Sequence, residues 1–146
     1  MTDITHKNIL AVMQHYLFVY GTLRQNANHP MHHILAQHSR FIGKACYQAR
    51  LYQVDYYPGA VPSNNAADQV AGELYQLIQP DLLLPVLDNY EECGPGFAQP
   101  QEYRREQQNI MLENGNSVVA WVYVYNCSTA GLRLIKSGDF LMAGSE

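Results

Sequence analysis

The stretch SVVAWVYVYN, residues 117–126, decides the architecture. At the two-residue period of a strand, Val119, Trp121, Tyr123 and Tyr125 fall on one face, and Val118, Ala120, Val122 and Val124 on the other. Both faces are apolar. A strand covered on both faces lies mid-sheet or in the wall of a closed barrel. Just upstream, Asn114-Gly115 is a strong hairpin signal, and EYRREQQNIMLE (residues 102–113) supplies the partner strand.

Working outward, HYLFVY (residues 15–20) is rich in β-formers and too short for a stable helix, so it reads as a strand. VAGELYQLI (residues 70–78) is another. SRFIGKACYQARLYQV (residues 39–54) reads as one long or bent strand. DYYPGAVPSNNAADQ (residues 55–69), punctuated by Pro, Gly and Asn, reads as a loop, as does CGPGFAQPQ (residues 93–101). Two segments have helical character. In NHPMHHILAQ (residues 28–37), Asn28 is the expected cap, Pro30 opens the first turn, and Met31, Ile34 and Leu35 share a face. In PDLLLPVLDNYEE, Pro85 either kinks the helix or sits in the first turn of a shorter helix reaching Glu91, and the shorter helix is the preferred reading. Several strands with only two short helices are not a repeating βαβ pattern. The expected fold is α+β: a small, mostly antiparallel β-barrel flanked by short helices.

The totals agree with one core. The chain has 146 residues, 47% of them hydrophobic, which suits one domain rather than two. Order is expected from Met13, with residues 1–12 as an N-terminal extension and residues 13–146 as a single domain. Met13 is then a candidate initiator. No apolar run approaches the length of a membrane span, and MTDITHKNIL has no signal-peptide layout, so the expected address is the cytoplasm. The net charge is −4 and the nine Lys and Arg are scattered, which argues against a nucleic-acid partner. Cys46, Cys93 and Cys127 form no CxxC pair and read as free thiols. Eleven tyrosines are many for this length, and their apolar rings and polar tips suit the wall of a cleft.

Familiar catalytic signatures are missing: GxGxxG, a phosphate loop, GxSxG and HExxH do not occur. His29, His32 and His33 could share a face as metal ligands, but no carboxylate lies beside them. We read them as surface or capping residues and expect neither a metal nor a cofactor. Gly21-Thr22-Leu23 follows the first strand directly. Such a turn can aim successive N–H groups at one anion, or it can be an ordinary turn, and the residues alone favour the ordinary turn. Asp88, Glu91 and Glu92 crowd a helix C-terminus, where the helix dipole makes carboxylates mildly unfavourable. Glu73 interrupts an apolar strand and is expected to have an internal partner, such as an Arg. One of Arg104 and Arg105 must point inward, toward Glu73 or Asp88.

Taken together and in order, FVYGTLR, YPGAV, VAGELYQL, VLDNYE, EYRRE, AWVYVYN and KSGDF resemble the γ-glutamylcyclotransferase-like (AIG2-like) family over roughly Tyr16 to Phe140. The resemblance implies a small β-barrel with helices beside it. It also implies an enzyme that cyclises γ-glutamyl amines, releasing 5-oxoproline and a free amine. The family loop corresponds to Tyr20, Gly21, Thr22 and Leu23, and its catalytic glutamate falls on Glu91. Tyr20 and Tyr103 are expected pocket walls. Family members often have Gly after that glutamate, and here Glu92 stands in its place. The chemistry fits the residue types, because the substrate's own α-amine attacks its own γ-carbonyl and no protein nucleophile is required. The implied partner is a small-molecule γ-glutamyl substrate. The alternative is a module that binds a γ-glutamyl or other carboxylate ligand without turning it over.

Overall fold

The computed structural model describes residues 15–145. The expected extension and the Met13 start site therefore lie outside the described residues. In chain order the strands are β1 (Tyr16–Val19), β2 (Ser39–Tyr47), β3 (Ala49–Gln53), β4 (Pro58–Pro62), β5 (Val70–Leu77), β6 (Tyr103–Leu112), β7 (Ser117–Tyr125) and β8 (Arg133–Leu134). The helices are α1 (Pro30–Gln37) and α2 (Pro80–Tyr90).

Five strands close a barrel in the order β1-β5-β2-β6-β7. The β1–β5, β5–β2, β2–β6 and β6–β7 pairs are antiparallel, and a parallel pairing of Leu17 with Trp121 closes the ring between β1 and β7. The expected mostly antiparallel barrel with flanking helices is the fold observed. The two apolar faces of β7 are now explained. Ala120, Val122 and Val124 fill the interior with Phe18, Leu74 and Ile110, whereas Tyr123 and Tyr125 pack outward with Leu17, Leu83 and Leu87 under the helices. The β6–β7 hairpin turns at Gly115, whose φ of 88° suits glycine. The turn is closed by the Leu112 N–H donating to the Asn116 carbonyl at 2.8 Å.

Four expectations are corrected. Residues 39–54 form two strands in different sheets, not one. β2 leaves the barrel at Gln48, whose side-chain amide donates to the Ser63 carbonyl, and β3 joins a separate sheet ordered β4-β3-β8. The segment after Asp55 is not all loop, because Pro58–Pro62 form β4. Proline reads as a breaker, yet β4 is an edge strand, where a missing N–H is tolerated. Gly59 within it lies against Tyr125, so close that a Cβ would sit 2.7 Å from the ring. Finally, α2 runs from Pro80 through Pro85 instead of starting there. Leu83, Leu84 and Leu87 are buried, while Pro85 is on the exposed side, where solvent can hydrate the carbonyl that lost its donor. The cap of α1 also moves by one residue: His29 Nδ1 accepts the Met31 N–H at 3.1 Å, and Asn28 instead adopts a left-handed conformation.

Candidate functional site

A cavity of about 190 Å³ opens where β1 ends, where β4 and β6 begin, and where α2 stops. Tyr20, Gly21, Thr22, Leu23, Glu91 and Tyr103, all singled out from the sequence, line it together. So do Glu92, Glu102, Tyr56, Tyr57 and Tyr90.

The Gly21–Leu23 turn is held from every side. Upstream, the Tyr20 hydroxyl donates to the Tyr123 carbonyl at 2.6 Å and accepts the Ala60 N–H at 3.1 Å. Gly21 lies against Pro58, and a Cβ there would come within 3.0 Å of the proline ring. The turn closes by the Arg24 N–H donating to the Gly21 carbonyl at 3.1 Å. The Thr22 hydroxyl is 2.9 Å from the Tyr90 hydroxyl, which lies 3.2 Å from His29 Nε2. His32 Nδ1 is 2.8 Å from the Leu23 carbonyl oxygen. The histidines thus serve as a cap and as braces. Among the described residues, the amides of Gly21, Thr22 and Leu23 have no protein acceptor. They are free to face an anion.

Downstream, Arg24 is a buried anchor that the sequence reading did not single out. It donates to Asp139 at 2.7 Å, and its Nε lies 3.9 Å from Glu73. Buried Glu73 also accepts from the Gln25 N–H at 3.0 Å and from the Tyr75 hydroxyl at 2.9 Å. The internal partner expected for Glu73 is therefore Arg24 with Tyr75. The KSGDF segment finds its use here, because its Asp139 ties the C-terminal region to the turn.

The acids at the end of α2 separate by environment. Asp88 is engaged: Arg105 donates to both its oxygens at 2.7 and 3.1 Å, and the Tyr123 hydroxyl adds a third bond at 2.7 Å. Arg105 is thus the member of its pair that meets Asp88, on the helix-covered face of the barrel that it shares with Tyr123. Glu91 has no such partner among the described residues. Burial, then the charges of Glu102 and Asp88, push its carboxyl up to about 7. Glu92 adopts φ 54° and is exposed. The Cys93 N–H reaches back to the Asp88 carbonyl at 2.9 Å and the Glu92 N–H to Asn89 at 3.1 Å. This is a Schellman ending, with Glu92 at the left-handed position that glycine normally fills.

The tyrosine walls have committed hydroxyls. Tyr103 donates to the Pro58 carbonyl at 2.6 Å, and Tyr57 to Glu102 at 2.5 Å. Burial raises the Tyr20 and Tyr103 phenols far above their ordinary value, so both stay neutral and serve as shape rather than as bases. The Cys93 thiol, pushed up to about 11 chiefly by burial, is no ready nucleophile. The arrangement offers free N–H donors, one carboxyl poised near neutrality and neutral aromatic walls. Of the residues missed in the sequence, Tyr90 was signalled by its place inside LDNYE, and Glu102 by its place beside Tyr103. Tyr56, far from either in sequence, gave no signal.

The family model described as Gamma-glutamyl cyclotransferase, AIG2-like, matches residues 17–142. The chain is similar to the Escherichia coli K12 protein named Gamma-glutamylcyclotransferase family protein YtfP, with 35% identity over 125 residues, covering 86% of this chain and 95% of that one. It is also similar to a Niallia circulans protein named Gamma-L-glutamyl-butirosin B gamma-glutamyl cyclotransferase, with 35% identity over 112 residues, 75% of this chain and 66% of the other. The crystal structure of an AIG2-like protein from Mus musculus superposes with a TM-score of 0.62 at 25% identity, covering 83% of this chain and 85% of that one. Among the described residues no helix is long and apolar enough to cross a membrane.

Proposed function

The chain belongs to the gamma-glutamyl cyclotransferase, AIG2-like family and is a γ-glutamylcyclotransferase-like enzyme, and from that premise we propose that it cyclises a γ-glutamyl amine to 5-oxoproline with Glu91 as the proton shuttle. The observation that carries this reading is the meeting of Glu91 and the free amides of the Gly21–Leu23 turn in one cavity. The family activity is inherited; the product and the residue roles are our reading.

The substrate's α-carboxylate is held by the amides of the turn, which bends the glutamyl chain so that its α-amine meets its own γ-carbon. Prepaying that orientation is worth up to about 7–11 kcal/mol in favourable intramolecular reactions. The free α-amine has a pKa of roughly 8 and is largely protonated at neutral pH. Ionised Glu91 takes its proton, the amine nitrogen bonds to the γ-carbon, and the γ-carbonyl becomes an oxyanion. As the bond from the γ-carbon to the departing nitrogen breaks, Glu91 returns the proton to that nitrogen, the oxyanion collapses to the lactam carbonyl, and the ring nitrogen gives up its second proton to solvent. One γ-glutamyl amine gives one 5-oxoproline and one free amine, and no water is consumed. A carboxyl near 7 suits both steps, since the best acid–base catalyst titrates close to the working pH. Tyr20 and Tyr103 wall the ring-closing side, and the cytoplasm is the compartment we propose.

The test is release of 5-oxoproline from a panel of γ-glutamyl amines and γ-glutamyl dipeptides by the wild type, Glu91→Gln and Glu92→Gln. Loss of turnover in Glu91→Gln with the fold intact supports the reading. Full activity in that variant removes Glu91 from the mechanism.

A further inference from the structure

Side chains from three separate elements form a hydrogen-bonded chain at the cavity. His29 caps α1, Tyr90 ends α2, and Thr22 lies in the turn after β1. The Tyr90 hydroxyl is 3.2 Å from His29 Nε2 and 2.9 Å from the Thr22 hydroxyl. Its ring stands edge-on to the imidazole with centroids 5.2 Å apart. Thr22 and Tyr90 both line the cavity, and no described lining residue is Lys, Arg or His.

The direction of this chain is fixed from its far end. His29 Nδ1 accepts the Met31 N–H at 3.1 Å, so in the neutral ring the proton sits on Nε2. Nε2–H therefore donates to the Tyr90 oxygen. Tyr90 must give its own proton elsewhere, and the Thr22 oxygen is its other partner among the described residues. A phenol is a stronger donor than an aliphatic alcohol, and the alcohol oxygen is the better acceptor. Burial raises the Tyr90 phenol above its ordinary value, so it keeps the proton it donates. With its oxygen engaged by Tyr90, the Thr22 hydroxyl has one proton to give and no protein acceptor among the described residues.

The rest of the turn has the same polarity. The Gly21 carbonyl accepts the Arg24 N–H at 3.1 Å, and the Leu23 carbonyl lies 2.8 Å from His32 Nδ1. A carbonyl can only accept, so His32 carries a proton on Nδ1, the reverse of His29. These acceptors are engaged inside the protein, whereas the amides and the Thr22 hydroxyl are left as donors.

We propose that His29 is a positioning residue that, through Tyr90, holds the Thr22 hydroxyl as a hydrogen-bond donor to the α-carboxylate of the glutamyl group, beside the amides of the turn. The inference rests on the cyclotransferase reading. His29 itself touches no substrate. It excludes the arrangement in which Tyr90 donates to the imidazole and Thr22 donates to Tyr90, and so orients the Thr22 proton before the substrate arrives.

The test measures kcat and KM for 5-oxoproline release from a γ-glutamyl amine, and the Kd of 5-oxoproline, which keeps the α-carboxylate, by calorimetry. His29→Asn is the informative variant. Asparagine is a strong N-cap and can still accept the Met31 N–H, but its side chain is too short to reach Tyr90 as well. KM and Kd should rise about threefold in His29→Asn and in Tyr90→Phe, and about tenfold or more in Thr22→Val, the range for a hydrogen bond to a charged group. Thr22→Ser, which keeps the hydroxyl, should recover most of that loss. In each case KM should change more than kcat, as expected when ground state and transition state are bound alike. His29→Asn should add nothing in a Thr22→Val background, because both act through one hydroxyl, whereas a purely structural brace would add its effect in either background. Additive effects, unchanged KM and Kd in Thr22→Val, or a loss confined to kcat overturn this inference and leave the cyclotransferase reading standing. A wild type that releases no 5-oxoproline from any γ-glutamyl amine overturns both.

Discussion

Replacing Glu91 with glutamine should make the protein more stable and nearly inactive at once. Burial and the charges of Glu102 and Asp88 move this carboxyl from 4.5 to about 7. In the unfolded chain the group returns to its ordinary value. Between pH 4.5 and 7 the folded state therefore holds more protons than the unfolded state, and stability falls as pH rises through that window. The interval from 4.5 to 7 corresponds to about 3.4 kcal/mol at 1.36 kcal/mol per pH unit. The side chain keeps some contact with solvent through the cavity, so screening brings the expected figure down to about 1–3 kcal/mol. A neutral amide of the same shape escapes that cost. Above pH 7.5 the variant Glu91→Gln should unfold at higher urea, with a Tm raised by roughly 3–10 °C. Near pH 4 the two proteins should unfold together, since the wild-type carboxyl is then neutral in both states. Turnover should fall by about 10²–10⁴-fold, the usual worth of a positioned acid–base group. The wild-type kcat/KM should rise with pH about a midpoint near 7 as the base ionises. Urea melts at pH 4 and 8, with 5-oxoproline release at pH 7.5, supply the measurement. A variant less stable than wild type at pH 8, or one with wild-type turnover, refutes the reasoning.

Asp88→Asn leaves Arg105 and the Tyr123 hydroxyl without their charged acceptor and should cost about 1–3 kcal/mol in urea unfolding. Because the Asp88 charge helps to raise Glu91, the same change should lower the midpoint of the pH–rate profile below the wild-type value, read from kcat/KM between pH 5 and 9. Gly72→Ala would drive a Cβ into the Val19 carbonyl and within 2.5 Å of the Phe18 ring, and overpacking of that kind should destabilise the barrel by about 1–3 kcal/mol in chemical denaturation. Glu92→Gly relieves a left-handed φ of 54° and should raise stability by roughly 1 kcal/mol, seen as a higher urea midpoint.

The barrel was legible because its signals are local and periodic. The Asn-Gly turn and the doubly apolar β7 needed no knowledge of partners. What failed needed neighbours. Proline in β4 was read as a breaker because the sequence does not say that the strand lies at an edge. Pro85 was read as a helix start because the sequence does not say that its side of α2 faces water. The break at Gln48 depends on a bond to Ser63, fifteen residues away. In the site, the turn and Glu91 were legible through an ordered set of motifs, whereas Arg24 was hidden. An arginine after a turn looks solvated until Glu73 and Asp139 are folded against it.

The two acids of LDNYE show how one helix end divides labour. Asp88 and Glu91 are three residues apart, so they leave the helix on neighbouring faces about one turn apart. Asp88 points toward β6 and β7, where Arg105 and Tyr123 satisfy it, and it becomes a fastener between helix and barrel. Glu91 lines the cavity, where it meets other carboxylates and no cation among the described lining residues, and burial holds it back from ionising. Environment sets these roles more than residue type does. The fastener also tunes its neighbour, since the Asp88 charge is one of the causes that raise Glu91. Had the Arg105 guanidinium faced Glu91 instead, the usual effect of a nearby cation would be to lower that carboxyl and make it a poorer base at neutral pH. The pairing of Asp88 with Arg105 therefore serves the candidate site twice. It fixes the helix end that presents Glu91, and it keeps a strong cation engaged with Asp88 rather than with Glu91.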